Sequence, residues 1–172
     1  NSTGLIESGG LIRSKKNFII DDPKLWSPDT PDLYTIHCYL MDKNRPLDQL
    51  TVEHGIRSVE FNPERGFVLN GKKVIMKGVC LHHDGGELGA AVPLESWRRR
   101  FNLLKELGVN ALRLAHNPHA PEVLDLADRM GFLVIDEMYD KWEQPWPGAA
   151  EDQSLEEPWE SDLSNFIRRD RN

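Results

Sequence analysis

Between residues 74 and 137 the chain runs through one pattern twice: an apolar run, a polar loop, an amphipathic stretch ending in glycine, and the next apolar run. VIMKGVCL (74–81) reads as a buried strand. ESWRRRFNLLKELG (95–108) spaces Trp97, Phe101, Leu104 and Leu107 at helical intervals and closes on Gly108 as a C-cap. VNALRLA (109–115) follows as a strand, PEVLDLADRMG (121–131) as a helix with Pro121 near its start and Gly131 at its end, and FLVIDE (132–137) as a third strand. Alternation of this kind demands parallel strands joined by right-handed crossovers, which leaves few architectures open.

Continuous apolar strands such as FLVI imply burial on both faces, as in a closed barrel or a doubly wound sheet. The barrel is favoured because no GxGxxG or GxxxxGK phosphate loop follows any strand. Each strand instead ends in polar residues: HHDGG (82–86), RLAHNP (113–118) and DEMYDKW (136–142). Active sites of such barrels gather at the C-terminal ends of the strands.

Residues 1–62 follow a different grammar. LYTIHCYLM (33–41) and QLTVEHGIRSVEF (49–61) read as antiparallel strands, with Gly55 as a bulge. DDPKLWSPDTPDLY (21–34) carries three prolines and reads as an ordered, non-helical connection, with Trp26 as a core plug at a sandwich edge. This half is expected to be the later strands of an antiparallel β-sandwich, immunoglobulin-like in kind. FVLNGKKVIMKG (67–78) then places Asn70-Gly71 between two apolar runs, a strong hairpin signal.

Composition excludes several classes. A formal charge of -7 with 28% charged residues argues against a nucleic-acid surface, and Arg98, Arg99 and Arg100 read as a solvated helix face. No window approaches the roughly 18 apolar residues of a membrane span. Cys38 and Cys80 fit buried thiols better than a metal site, and a disulfide between them stays open.

The strand ends hold the chemistry. Arg113 is a candidate ion-pair partner for Asp136 or Glu137 on a neighbouring strand, and His116 is either a pocket residue or a cap on the following helix. His82, His83 and Asp84 together suggest a metal, but adjacent histidines on a strand face opposite ways and do not readily share one ion. Three successive strands turning His-, Arg- and acid-rich at the same end point to a pocket. With aromatic walls from Tyr139, Trp142 and Trp146, that pocket suits a sugar, which needs partners for its hydroxyls and an apolar face for its ring.

These residues resemble glycoside hydrolase family 2, of the β-galactosidase kind. NALRLAHNPHAPEVLDLADRMGFLVIDE (110–137) is similar to that family's Asn, Arg, His-aromatic-Pro turn, Asp and Gly before an apolar run. It departs by Leu114, where a small residue is usual, and by Asn117, where Tyr is common. LNGKKVIMKGVCLHHD (69–84) resembles the entry to the family's barrel, and PKLWSPDTPDLY (23–34) its preceding sandwich domain. The resemblance implies a sandwich domain over 1–62 and, over 63–172, the first three βα units of a TIM (β/α)8 barrel, with a third barrel helix near 155–171.

It further implies that His82 and His116 contact the sugar, with Asp84 and Trp142 beside them, and that Arg113, Asp136, Glu137 and Asp140 support the pocket. The run HHDGGELGAAVP (82–93) favours terminal β-D-galactosides in oligo- or polysaccharides, with β-glucuronidase or β-mannosidase as alternatives. The family retains anomeric configuration, which requires two carboxylates about 5 to 5.5 Å apart. Both glutamates are expected beyond Asn172, so this chain alone is expected to be inactive and to present an open edge at its third strand. MYDKWEQPW (138–146) has no counterpart of the magnesium-binding Glu-x-His that some relatives carry, so a metal dependence of that type is not carried over, and no cofactor is expected. The expected partners are the carbohydrate substrate, the remaining domains of the same enzyme and a second copy in a homo-oligomer. Nucleic acid and membrane are not among them, and the resemblance implies a bacterial cytoplasm or periplasm. The rival from another class is a non-catalytic carbohydrate-binding or interaction module built on the sandwich.

Overall fold

The computed structural model describes residues 9–12, 14–140 and 159–172. Its centre is a parallel sheet of β6 (Gly78–His82), β7 (Ala111–Ala115) and β8 (Leu133–Asp136), in that order. Helix α1 (Leu94–Glu106) joins β6 to β7, and α2 (Pro121–Met130) joins β7 to β8. Pro121 opens α2, where its missing N–H costs nothing, and Gly131 closes it in the left-handed conformation. A third helix, α3 (Trp159–Asp170), ends near the edge of β8, and the expected start of that helix at 155–158 lies outside the described residues.

One face of this sheet makes the core. Leu112 and Leu114 of β7 and the partly buried Val79, Leu81 and Val134 pack against Trp97 and Phe101 of α1 and Val123 and Leu126 of α2. Trp97, Phe101 and the half-buried Leu104 hold the inner face of α1, as the helical spacing requires. Leu107 does not join them: it is 79% exposed, because α1 ends at Glu106 and the chain turns at Gly108. Strand β6 is also shorter than expected, beginning at Gly78, with 74–77 outside any strand.

The preceding chain forms two small antiparallel sheets. β1 (Tyr34–Asp42) and β2 (Arg45–His54) make a hairpin, and β3 (Val59–Asn62), β4 (Gly66–Leu69) and β5 (Lys72–Lys73) make the second sheet. The Asn-Gly hairpin forms as expected: Asn70 and Gly71 turn between β4 and β5 with φ of 51° and 75°. Strands β3 and β4 pair across residue 62, so one hairpin straddles the expected domain boundary. Both faces of β1–β2 are exposed along nearly their whole length, with Leu40, Leu47 and Leu50 all more than half exposed.

Three local readings are corrected. Gly55 is not a bulge within a strand: it follows the end of β2, and a Cβ there would come within 2.9 Å of Trp26, so the glycine makes room for the indole. The register shift in β1–β2 falls instead at Leu40/Met41. Trp26 is a buried plug, but it fills the junction with α2, donating from Nε1 to the Asp128 carbonyl at 2.8 Å. Cys38 and Cys80 are free and exposed, not buried, because each sits on a strand face that no described element covers.

Candidate functional site

Alternation along the three strands decides which side chains meet. In β7, Leu112 and Leu114 enter the core, so Arg113 projects from the opposite face. The register sets Cys80, Arg113 and Ile135 side by side across β6, β7 and β8. His82, one pleat beyond Cys80, and Glu137, just past β8, extend this same face toward the C-terminal strand ends.

There the side chains converge. Arg113 pairs through Nη2 with Glu137 Oε1, while its Nη1 lies 3.5 Å from Cys80 Sγ. Contact with Cys80 first, and with Glu137 after it, raises the Arg113 pKa further above its ordinary value. The other carboxylate oxygen, Glu137 Oε2, accepts from His116 Nδ1 at 3.1 Å, and Asp140 Oδ1 lies 3.6 Å from the same nitrogen. Two carboxylates facing Nδ1 require that atom to carry the hydrogen, which leaves Nε2 as the ring atom available to a ligand. His82 completes the group, its ring edge-on to His116 with centroids 5.1 Å apart. The Ala115–His116 peptide is cis.

The expected residues divide accordingly. His82, His116, Arg113, Glu137 and Asp140 come together. Glu137, not Asp136, is the partner of Arg113, which resolves the alternative left open by the sequence. His116 does not cap α2, whose N-cap is Ala120 without a side-chain bond. Asp136 does not help order this network: it lies one residue before Glu137 and so faces the other side of the sheet, toward Arg169 and Asp170 at the end of α3. Burial first, and the Asp170 carboxylate next, push its pKa up to about 7. Asp84 is drawn into its own loop, where Oδ1 accepts from Gly86 N at 2.7 Å and its carbonyl accepts from Arg100 at 2.8 Å. Trp142 and Trp146 lie outside the described residues, and Tyr139 donates to Asp162 of α3 at 3.1 Å.

His119 escaped sequence reasoning. It is 1% exposed, its Nδ1 meets the Asn117 carbonyl at 3.1 Å, and burial holds its pKa below the usual histidine value. The available signal was its place three residues after His116 in HNPH, where the chain turns back toward α2. Among the described residues no group of three His, Cys, Asp or Glu side chains is placed to hold a metal ion, and no helix is long and apolar enough to cross a membrane. A cavity of about 380 Å³ runs along β8 between Phe67, Leu124, Val134 and Asp136, and neither His82 nor His116 lines it.

Comparison with known proteins gives two family matches in tandem: glycosyl hydrolases family 2 over residues 2–57, and the TIM barrel domain of glycosyl hydrolases family 2 over 61–162. A β-galactosidase of Bacteroides ovatus, BoGH2A, is 42% identical over 99% of this chain and 20% of its own length. A protein of Formosa agariphila described as a putative β-glucuronidase is 39% identical over 89% of the chain and 15% of its own length. The crystal structure of a β-glycosidase from Bacteroides vulgatus superposes with a TM-score of 0.80 and 46% identity, covering 87% of this chain and 20% of that one. The chain thus spans between 15% and 20% of the length of these relatives.

Proposed function

The chain belongs to glycosyl hydrolase family 2, and from that premise we propose that it is a segment of a retaining glycosidase acting on terminal β-D-galactosides. The observation that carries the proposal is the chain of contacts Arg113–Glu137–His116, with His82 edge-on to His116, at the C-terminal ends of three parallel strands. In this reading His116, held through Nδ1, offers Nε2 to a sugar hydroxyl, and His82 supplies a second polar contact from the neighbouring strand. Glu137 is occupied on both oxygens, so it is a positioning carboxylate and neither the acid/base nor the nucleophile. Arg113 neutralises and orients Glu137 through Nη2, while its Nη1 is directed at Cys80. Asp140 steadies His116 at the same Nδ1 that Glu137 contacts. The two reacting carboxylates, about 5 to 5.5 Å apart, belong to later strands of the barrel. An immunoglobulin-like sandwich, of which β1 and β2 are part, precedes it.

A second reading, β-glucuronidase, is favoured by the Formosa relative and by the solved structure of β-glucuronidase 3 from Bacteroides uniformis, 31% identical over 89% of this chain. Initial-rate assays of the complete enzyme with aryl β-galactoside and aryl β-glucuronide separate the two, and NMR of the first-formed anomer tests retention. The expected result is faster galactoside turnover with β-anomer released first. Preference for the glucuronide moves the assignment to the second reading, and α-anomer release overturns the retaining mechanism.

A further inference from the structure

A second pair of histidines lies on the helix-facing side of the same strand ends. His83 follows His82, and His119 follows His116 by three residues; their rings stack at 4.8 Å with planes 18° apart. Trp97 of α1 backs both, with centroids 5.9 Å from His83 and 5.7 Å from His119. The His119 ring is fully buried, and its Nε2 and the neighbouring Trp97 Nε1 have no hydrogen-bond partner. Each loop is also tied from a helix: Arg100 donates to the Asp84 carbonyl at 2.8 Å, and Arg169 to the His119 carbonyl at 3.0 Å.

We propose that His83 and His119 are positioning residues: their stacked rings, backed by Trp97, clamp together the two strand ends that carry His82 and His116 and so set the spacing of that pair. The catalytic consequence rests on the glycosidase reading, and the clamp itself does not. With Nδ1–H directed at the Asn117 carbonyl, neutral His119 keeps a bare Nε2 in a dry site, and protonation there has no acceptor to meet. The charged and titratable groups that face His119 among the described residues are His83 and His82 from β6 and its loop, and Arg169 of α3, which donates to the His119 carbonyl and is itself paired with Asp170. Arg169 is neutralised by Asp170, and the remaining two groups are imidazoles that are cationic when charged, so acid turns the stack from attractive to repulsive.

The test compares wild type, His119→Ala and His119→Phe in the complete enzyme. His119→Ala is expected to lower kcat/KM about 10- to 100-fold by displacing His116. His119→Phe, which keeps a ring in the stack but takes no proton, is expected to recover most of that loss and to lessen the acid-side fall in kcat/KM, which lies below the usual histidine range because burial lowers the His119 pKa. A phenylalanine variant as impaired as the alanine variant overturns the proposal, as does a folded alanine variant with the wild-type rate and pH profile. Independently of turnover, NMR titration of the His82 and His116 ring resonances should show an additional inflection in wild type that vanishes in His119→Phe. Identical curves refute the clamp even where the alanine variant does not fold. No turnover of either glycoside by wild type, with that inflection present, sinks the glycosidase reading and leaves the clamp standing.

Discussion

The two faces of the parallel sheet differ more than their sequences suggest. On the helix-facing side, Leu112, Leu114, Val79 and Val134 meet Trp97, Phe101 and Val123 in a closed core. One residue away along each strand, Cys80, Arg113 and Ile135 form a row that is open to solvent among the described residues. Period-two alternation has separated stability from chemistry on the same three strands, so substitutions on the two faces should fail in different ways. The sharpest contrast is Phe101→Ala. Phe101 is completely buried against Trp97 and Phe132, with centroid distances of 6.2 and 5.0 Å, and its removal should cost about 3–5 kcal/mol of stability. Denaturant or calorimetric unfolding measures this, and a loss below about 1 kcal/mol would mean that the core face is not what holds the sheet.

His116→Ala is the counterpart on the open face. It should leave the unfolding midpoint nearly unchanged while lowering kcat/KM of the complete enzyme by about 2–4 kcal/mol of transition-state stabilisation. An unaltered kcat/KM would remove His116 from the sugar site. Arg113→Lys belongs to the same experiment: the guanidinium reaches Glu137 and Cys80 through two nitrogens, and a single ammonium cannot copy that fork. Its activity should fall with little loss of stability.

This division of labour was largely legible in the sequence, and its exceptions have physical causes. The strand-helix-strand order, the Asn70-Gly71 hairpin, the Pro121 start and Gly131 stop of α2, and the meeting of His82 with His116 all follow from local rules acting within or between adjacent strands. Gly131 carries more than a C-cap role: a Cβ there would lie 2.4 Å from the Pro28 carbonyl oxygen, a contact 103 residues apart in the chain that no local pattern encodes. Gly55 and Trp26 are the same case. The side of the sheet on which Asp136 falls was decidable from alternation with Glu137, but proximity in sequence to the polar cluster outweighed parity. The burial of His119 depends on Trp97 and His83 arriving from another loop and another helix, which HNPH by itself does not announce.

Asp136 is the point at which the comparison of faces breaks, since it is an ionisable group on the apolar side. Its carboxyl is pushed from 3.8 up to about 7, by burial first and by Asp170 next. A folded-state pKa above the unfolded one means that the native state holds the proton more tightly. The associated stability is therefore present below about pH 4 and is lost as pH rises through about 7. Asp136→Asn should be nearly neutral at pH 4 and should stabilise at pH 8, by roughly 1–2 kcal/mol after allowance for solvent screening of a partly buried group. Paired thermal melts at those two values read the difference. Equal shifts at both would show that Asp136 is ionised and satisfied throughout.

The smallest effect belongs to the region with neither a core nor a site. β1 and β2 alternate as a half-buried hairpin should, yet Ile36, Leu40 and Leu50 stay 41%, 54% and 61% exposed, against 0% for Phe101. Removing a side chain that already meets water forfeits little transfer free energy, so Leu50→Ser in the 172-residue chain should shift stability by less than about 0.5 kcal/mol. The same substitution in the complete enzyme is more informative. If an opposing sheet covers this hairpin there, as the sandwich reading requires, Leu50 becomes a core residue and the cost rises to about 2 kcal/mol or more. A value that stays below about 0.5 kcal/mol in both settings would leave β1–β2 an uncovered ribbon and remove the physical basis for the sandwich, whereas the strand-end cluster, built on other strands, would stand unaffected.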